Sequence, residues 1–251
     1  MLVRGSGKLT RADLQKWESV RVELLNYRKD GTSFWNEFEI VPIAGENGWY
    51  THWVSVQRDV SDRKEMERQL FQLAFYDSLT GLPNRRLFND RLTQAIALSK
   101  RSMRYGALMC LDLDHFKELN DSHGHAVGDL LLIELAKRLG ECVREVDTVA
   151  RFGGDEFVVI IGELSEEKGG AEAKALGVAE KIRSSLSEIY KLAAADESGN
   201  NVEIEHRCSC TIGVALFKAN EASQGSILKW ADAAMYKAKE IGRGSVFVHC
   251  P

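Results

Sequence analysis

The chain has 251 residues, 44% of them hydrophobic, with three prolines and a formal charge of −4. One domain of about 150 residues plus a smaller piece is the natural expectation for this length, and the slight acidity excludes a global positive field that would recruit polyanions such as nucleic acid. Any anionic substrate must therefore be held by local Lys, Arg or metal. No run of eighteen apolar residues is present, so no direct membrane insertion is expected. Met1–Thr10 lacks the apolar core of a signal peptide, and a cytoplasmic protein or cytoplasmic fragment is expected. Five cysteines, with Cys208 and Cys210 spaced C-x-C and no second ligand pair, read as reduced core thiols rather than zinc ligands or disulfides.

Residues 17–60 carry β patterning. Val20, Val22 and Leu24 alternate with polar residues, Asp30-Gly31 marks a turn before Phe34, Trp35, Phe38 and Ile40, and Gly45–Gly48 marks another before Trp53, Val54, Val56 and Val60. Three antiparallel strands follow, with a core too small to stand alone. Ser61-Asp62 opens a helix whose stripe Met66, Leu70, Leu73 is spaced 4 and 3; it breaks at Thr80-Gly81-Leu82-Pro83, because proline disfavours helical geometry at Leu82. At about 1.5 Å per residue, such a helix spans about 24 Å, a length suited to a connector.

From Pro83 helix and strand alternate. Helices are expected at Arg86–Ser99, Asp129–Glu145, Ala171–Tyr190 and Ser226–Ile241. Strands are expected at Tyr105–Leu113, Thr148–Phe152, Glu156–Ile161, within Glu203–Phe217 and at Ser245–His249, with a polar insert at Asp196–Asn201. The pattern gives an α/β domain with a central, partly antiparallel sheet.

Two places concentrate chemistry. The strand ending at Leu113 is bracketed by Asp112 and Asp114, which strand alternation is expected to point to opposite faces, so that only one faces a given site. Magnesium suits such a strand end, since it takes few protein oxygens and leaves room for phosphate and water. The hairpin Arg151-Phe152-Gly153-Gly154-Asp155-Glu156-Phe157 sets two adjacent acids beside two glycines. A tight turn does not need the acids, and clustered like charges are costly without a compensating cation.

Gly153-Gly154-Asp155-Glu156-Phe157 resembles the signature of the GGDEF, or diguanylate cyclase, family, and its context is similar too. Asp77-Ser-Leu-Thr-Gly-Leu-Pro-Asn-Arg85, Asp112-Leu-Asp-His-Phe-Lys-Glu-Leu-Asn-Asp121, Gly124-His125 with Gly128-Asp129, Thr211-Ile-Gly-Val-Ala215 and Ala238-Lys-Glu-Ile-Gly-Arg243 occur in order across residues 75–249. The resemblance implies an α/β (α+β) fold with a nucleotide-cyclase or palm-like central mixed sheet flanked by helices. It implies a homodimer that condenses two GTP into cyclic di-GMP, with magnesium, or manganese in its place, as cofactor. Asp112, the Leu113 carbonyl and Asp155 then correspond to metal ligands, and Glu156 to the carboxylate that completes the metal site or deprotonates the attacking hydroxyl. Lys117 corresponds to the residue stabilising developing phosphoryl charge. Asn120 and Asp129, with His125 beside them, correspond to the guanine site, Phe116 to a further substrate-binding residue, and Lys239 and Arg243, expected on one helix face, to contacts with the terminal phosphates. Arg144-x-x-Asp147 resembles the family's inhibitory product site. The alternatives are a silent nucleotide-sensing domain and a general cyclase or polymerase-palm enzyme; every position named carries the residue type of the active family.

Residues 1–60 resemble the C-terminal half of a PAS domain, with Asn26, Asn36 and Gln57 at positions that touch the flavin ring in the light-sensing branch. The earlier strands and the reactive-cysteine segment have no counterpart, so no flavin is expected. The expected organisation is a partial PAS-like β segment over 1–60, a helical linker over 61–76 and the cyclase-like domain over 77–251.

Overall fold

The computed structural model describes residues 2–4, 17–195, 201–218 and 223–249. Most of Met1–Thr10, the expected polar insert apart from Asn201, and Cys250 lie outside the described residues. Two compact units divide the chain between Phe71 and Gln72.

The first unit is a sheet of four strands in the order β1 (Leu2–Arg4), β2 (Val20–Tyr27), β3 (Ser33–Ala44), β4 (Tyr50–Asp59). The three expected strands are antiparallel neighbours, and β1 adds in parallel beside β2. One face buries Val22 and Asn36, and the Asn36 side-chain amide donates to Gln57 Oε1 at 3.1 Å. Trp17 stacks on both Tyr50 and Trp53. Helix α1 (Ser61–Phe75) starts where Ser61 Oγ accepts from the Trp35 amide, and its first turns pair Arg63 and Lys64 with Glu23. No residue of α1 is buried, and its stripe Met66, Leu70 and Leu73 is exposed.

In the second unit a five-stranded sheet runs β11 (Val246–His249), β10 (Cys210–Phe217), β5 (Gly106–Leu113), β7 (Glu156–Ile161), β6 (Thr148–Gly153). All pairs are antiparallel except β10 with β11. β5 lies at the centre and is buried on both faces, which explains its unbroken apolar run. One face packs Met109, Leu111, Phe157 and Ile212 against α4 (His125–Cys142) and α5 (Lys168–Leu186). The other packs Leu108, Val158 and Ala215 against α2 (Arg85–Ser102) and α6 (Gln224–Ile241). Alternation along each strand thus feeds two apolar layers, the arrangement the sequence pattern implies.

Three elements differ from expectation. A short helix, α3 (Phe116–His123), follows β5 where none is expected; His115 in the left-handed region opens it and the Gly124 amide on the Asn120 carbonyl closes it. The helix expected to reach Tyr190 stops at Leu186, because Arg138 on α4 captures the carbonyls of Ser185, Glu188 and Ile189 and lies 3.7 Å from the Tyr190 ring centroid. Tyr190 instead begins β8 (Tyr190–Ala195), which pairs with β9 (Asn201–His206) as a separate hairpin. Finally, α4 starts at His125, a turn before the expected Asp129. Cys110, Cys142, Cys208 and Cys210 are buried free thiols.

Gly213 on β10 marks the closest approach of helix to sheet. A Cβ there would lie 2.0 Å from the Met235 amide nitrogen and 2.3 Å from the Ala231 carbonyl of α6. Gly213→Ala is therefore expected to destabilise the second unit by about 2 kcal/mol, the scale of overpacking against a backbone that must shift. Urea unfolding measures this directly; an unchanged midpoint would contradict the contact.

Candidate active site

The site forms where β5, β7 and the β6–β7 turn end together. Asp112 is the cross-strand partner of Glu156 on one side and of Thr211 on the other. Opposed residues of an antiparallel ladder share a face, so all three project to the side covered by α2 and α6. Asp155 precedes Glu156 in the turn. Burial, and then the negative charge of Asp112, push the Asp155 carboxyl above its usual pKa, while Lys239 and Arg151 oppose the shift. Lys239 Nζ lies 2.8 Å from Asp112 Oδ1. Two acids therefore crowd one strand end with a single lysine seated between α6 and the sheet.

Among the described residues no group of three His, Cys, Asp or Glu side chains is arranged to hold a metal. Asp112 and Asp155 supply two carboxylates, and the Leu113 carbonyl adds a main-chain oxygen at the same strand end. That set is too sparse for a closed protein cage but fits magnesium, which takes one or two carboxylates and completes its shell with phosphate oxygens and water. The mutual repulsion of the two acids is the feature that a divalent cation would relieve.

Asp114 does not divide from Asp112 by strand alternation, contrary to expectation. Residues two apart on a strand share a face, and the Thr211 hydroxyl, opposite Asp112, indeed reaches Asp114 Oδ1 at 2.8 Å. What separates the two acids is hydrogen bonding: Asp114 is buried with both oxygens engaged, while Asp112 stays partly open.

The hairpin is braced from a distance. Arg151, buried, donates from Nη1 to Asp77 Oδ1 at 2.8 Å and from Nε and Nη2 to the Gly154 carbonyl at 3.0 and 2.7 Å. Asp77 also accepts the Thr80 amide and hydroxyl, and the Arg151 amide donates to the Pro83 carbonyl. Burial alone would raise the Asp77 pKa, but the hydrogen bonds from Thr80 and Arg151 outweigh it and hold the carboxyl below the usual range. A β-bulge at Phe152 turns that ring edge-on to Phe88 and beneath Arg85. The turn of residues 77–83 and the acidic turn thus move as one piece. Sequence reasoning missed this pairing, although Asp77 opens one of the motifs that carry the resemblance and Arg151 lies two residues before another.

A second element is the notch between α3 and α4. The Asn120 side-chain oxygen is buried without a hydrogen-bond partner. A Cβ at Gly128 would lie 1.9 Å from that oxygen and 3.2 Å from the Phe116 ring, so only glycine admits this approach. Phe116 and Asn120 on α3 thereby meet the start of α4, which carries His125 and Asp129 one turn apart, both exposed. Lys117 is exposed in the first turn of α3. An orphaned buried acceptor beside an aromatic ring and an exposed carboxylate is a place where a planar polar ligand completes the hydrogen bonding.

The remaining candidates fall at element ends. Lys239 lies on α6, but the helix stops at Ile241, so Arg243 is not on the same helical face as expected; it sits in the Gly242–Ser245 loop, exposed. Asp147 Oδ2 accepts the Arg144 amide at 3.0 Å and Oδ1 accepts the Gly162 amide at 3.3 Å, which leaves the exposed Arg144 guanidinium unused by its neighbour. Behind Glu156, a cavity of about 280 Å³ is lined by Arg85, Cys110, Phe152, Asp232 and Met235 among others. Burial pushes the Cys110 thiol up to about 12, so it stays protonated there.

The family described as diguanylate cyclase, GGDEF domain, matches residues 74–245, and a PAS domain family matches residues 5–62. The bifunctional diguanylate cyclase/cyclic di-GMP phosphodiesterase MucR of Pseudomonas aeruginosa is 45% identical over 176 residues, covering 70% of this chain and 24% of MucR. The chain therefore spans about a quarter of that relative's length. Among solved structures, the GGDEF domain of TpbB (YfiN) from P. aeruginosa is 39% identical with a TM-score of 0.59, covering 70% of this chain and 94% of that one. The coiled coil and GGDEF domain of DgcB from Caulobacter crescentus, solved in complex with c-di-GMP, is 31% identical with a TM-score of 0.62, covering 75% and 93%.

The raised pKa of Asp155 carries a sign. A carboxyl that binds its proton more tightly folded than unfolded contributes stability below the ordinary carboxylate pKa and loses it as pH rises through the folded value. Without metal, ionised Asp155 is thus destabilising at neutral pH. Asp155→Asn is expected to raise the melting temperature in chelator at pH 7, with the gain fading as pH falls below about 4. A lower melting temperature for the variant at pH 7 would contradict the electrostatic account.

Proposed function

We infer the reaction from family membership: the chain belongs to the diguanylate cyclase, GGDEF domain, family, and we propose that it condenses two GTP into cyclic di-GMP and two pyrophosphates. The observation that carries the reading is the confrontation of Asp112 and Asp155 at one strand end beside the Asn120 notch. Asp112, Asp155 and the Leu113 carbonyl would hold magnesium, or manganese in its place. When bound, that ion neutralises triphosphate charge and lowers the pKa of the attacking 3′-hydroxyl.

The chain's own residues do the rest. Asn120 and Asp129 read the guanine edge, with His125 beside them and Phe116 against the base. The orphaned Asn120 oxygen is the acceptor such a base would satisfy. Lys239 and Arg243 bind the terminal phosphates. In this role Lys239 would exchange its contact with Asp112 for a phosphate oxygen. Lys117 stabilises charge that develops on the phosphoryl group under attack. Glu156, on the same face as Asp112, completes the metal shell or accepts the proton of the attacking hydroxyl.

Each protomer holds one GTP, so two copies must meet face to face and positioning governs the rate. The exposed stripe Met66, Leu70, Leu73 on α1 supplies a seam for a homodimer. Residues 1–60 then act as a PAS-type arm, 61–76 as the linker and 77–251 as the catalytic domain. Arg144 and Asp147 form a product site: Asp147 is fixed by backbone amides, and Arg144 offers its fork to phosphate or a guanine edge. Among the described residues no helix is long and apolar enough to cross a membrane, in keeping with a cytoplasmic enzyme.

Incubation with GTP and magnesium, followed by chromatographic identification of products, tests the reading. Cyclic di-GMP and pyrophosphate are expected, with wild-type progress curves flattening as product accumulates and Arg144→Ala curves staying linear for longer. Absence of cyclic di-GMP at any protein concentration would overturn the assignment. Identical flattening in both proteins would remove the product site alone.

A further inference from the structure

We propose that Asp114 is a positioning residue for triphosphate recognition, holding the loop that carries Arg243 at the strand end of Asp112 and binding no metal itself. The proposal rests on the reading of Lys239 and Arg243 as phosphate contacts. Asp114 follows β5 and is 3% exposed. Its carboxylate takes three donors: the Ser209 hydroxyl on Oδ2 at 2.6 Å, the Gly244 amide on Oδ2 at 2.9 Å, and the Thr211 hydroxyl on Oδ1 at 2.8 Å. Its own amide donates to the Ser209 carbonyl at 3.0 Å. Three donors fill three of the carboxylate's roughly four lone-pair sites, and at 3% exposure the group is withdrawn from solvent.

The Gly244 amide is the informative partner, because it lies 130 residues away in sequence and adjoins Arg243. It is shared with Thr211 Oγ1 at 3.2 Å, and Thr211 is the cross-strand partner of Asp112. The loop is fastened at two further points. Ser245 accepts the Ile212 amide through its carbonyl, and the Ala238 carbonyl accepts both the Gly242 amide and the Ser245 hydroxyl. Ala238 immediately precedes Lys239. Through Gly244 the buried carboxylate fastens the Arg243 loop to the ends of β5 and β10, and the loop's own bonds to the Ala238 carbonyl carry the tie to the last turn of α6. A buried anion with neutral donors alone is costly unless each bond is kept, so the loop geometry is tightly specified.

Binding of GMP and of a GTP analogue that cannot be attacked at its α-phosphate, both with magnesium, separates triphosphate recognition from base recognition. Asp114→Ala is expected to weaken the analogue about tenfold, the scale of a lost hydrogen bond to a charged group. GMP binding should stay within about twofold, and Asp114→Ala added to Arg243→Ala should weaken the analogue no further. Equal losses for GMP and the analogue, or additive losses in the double variant, would overturn the proposal. If Asp114→Ala fails to fold, Asp114→Asn keeps one carbonyl oxygen and is expected to weaken the analogue about threefold, again sparing GMP. If Arg243→Ala leaves the analogue's affinity intact, the phosphate reading of Arg243 fails. Hydrogen exchange at the Gly244 amide then decides the tether: faster exchange in the Asp114 variant supports it, and unchanged protection overturns it.

Discussion

Everything in the second unit is arranged around a charge conflict. The register of β5 with β7 sets Asp112 opposite Glu156, and the two-glycine turn delivers Asp155 next to them. Asp155 is crowded at this strand end, and burial together with the Asp112 charge raises its carboxyl above the usual value. Lys239 answers only part of this, through Asp112. A divalent cation together with a polyphosphate has the charge that would offset such a cluster.

Such a cluster needs scaffolding, and two buried ion or hydrogen-bond sets provide it from distant parts of the chain. Arg151 joins the acidic turn to the turn of residues 77–83 at the end of α1. Asp114 joins the end of β5 to the loop after α6. Removing one partner of the Arg151–Asp77 pair strands the other, and removing a neutral donor from Asp114 leaves a buried carboxylate oxygen short of a hydrogen bond. Asp77 and Lys239 thus connect the turn of residues 77–83 and the last turn of α6 to the acidic strand end through polar contacts rather than through the apolar layers.

Much of this was legible in the sequence. The hairpin Thr148–Phe152 and Glu156–Ile161 announced itself because glycines and acids between two apolar runs have few other uses, and β5 because an unbroken apolar run bounded by acids fits a central strand. Local pattern failed where tertiary contacts decide. The strand at Tyr190 reads as the tail of a helix until Arg138, far away on α4, takes the carbonyls that would have continued it. Helix α3 was hidden because its residues, Phe116–His123, carry only Leu119 as a fully buried position. Arg243 was expected on α6 from its spacing to Lys239, but Gly242 ends the helix between them. The roles of Asp114 and Arg151 were invisible for a common reason: their partners lie 97, 130 and 74 residues away. No periodicity encodes such pairs.

The central claim is that the carboxylates of Asp112 and Asp155 repel each other until a metal–nucleotide complex arrives. Carboxyl-carbon NMR titration of Asp155 tests it most directly, run on the protein alone and then with magnesium and a non-reacting GTP analogue together. The account predicts a pKa above the ordinary aspartate value in the free protein, falling below that value in the complex. A pKa that is ordinary in the free protein, or unmoved by magnesium and the analogue, would contradict it.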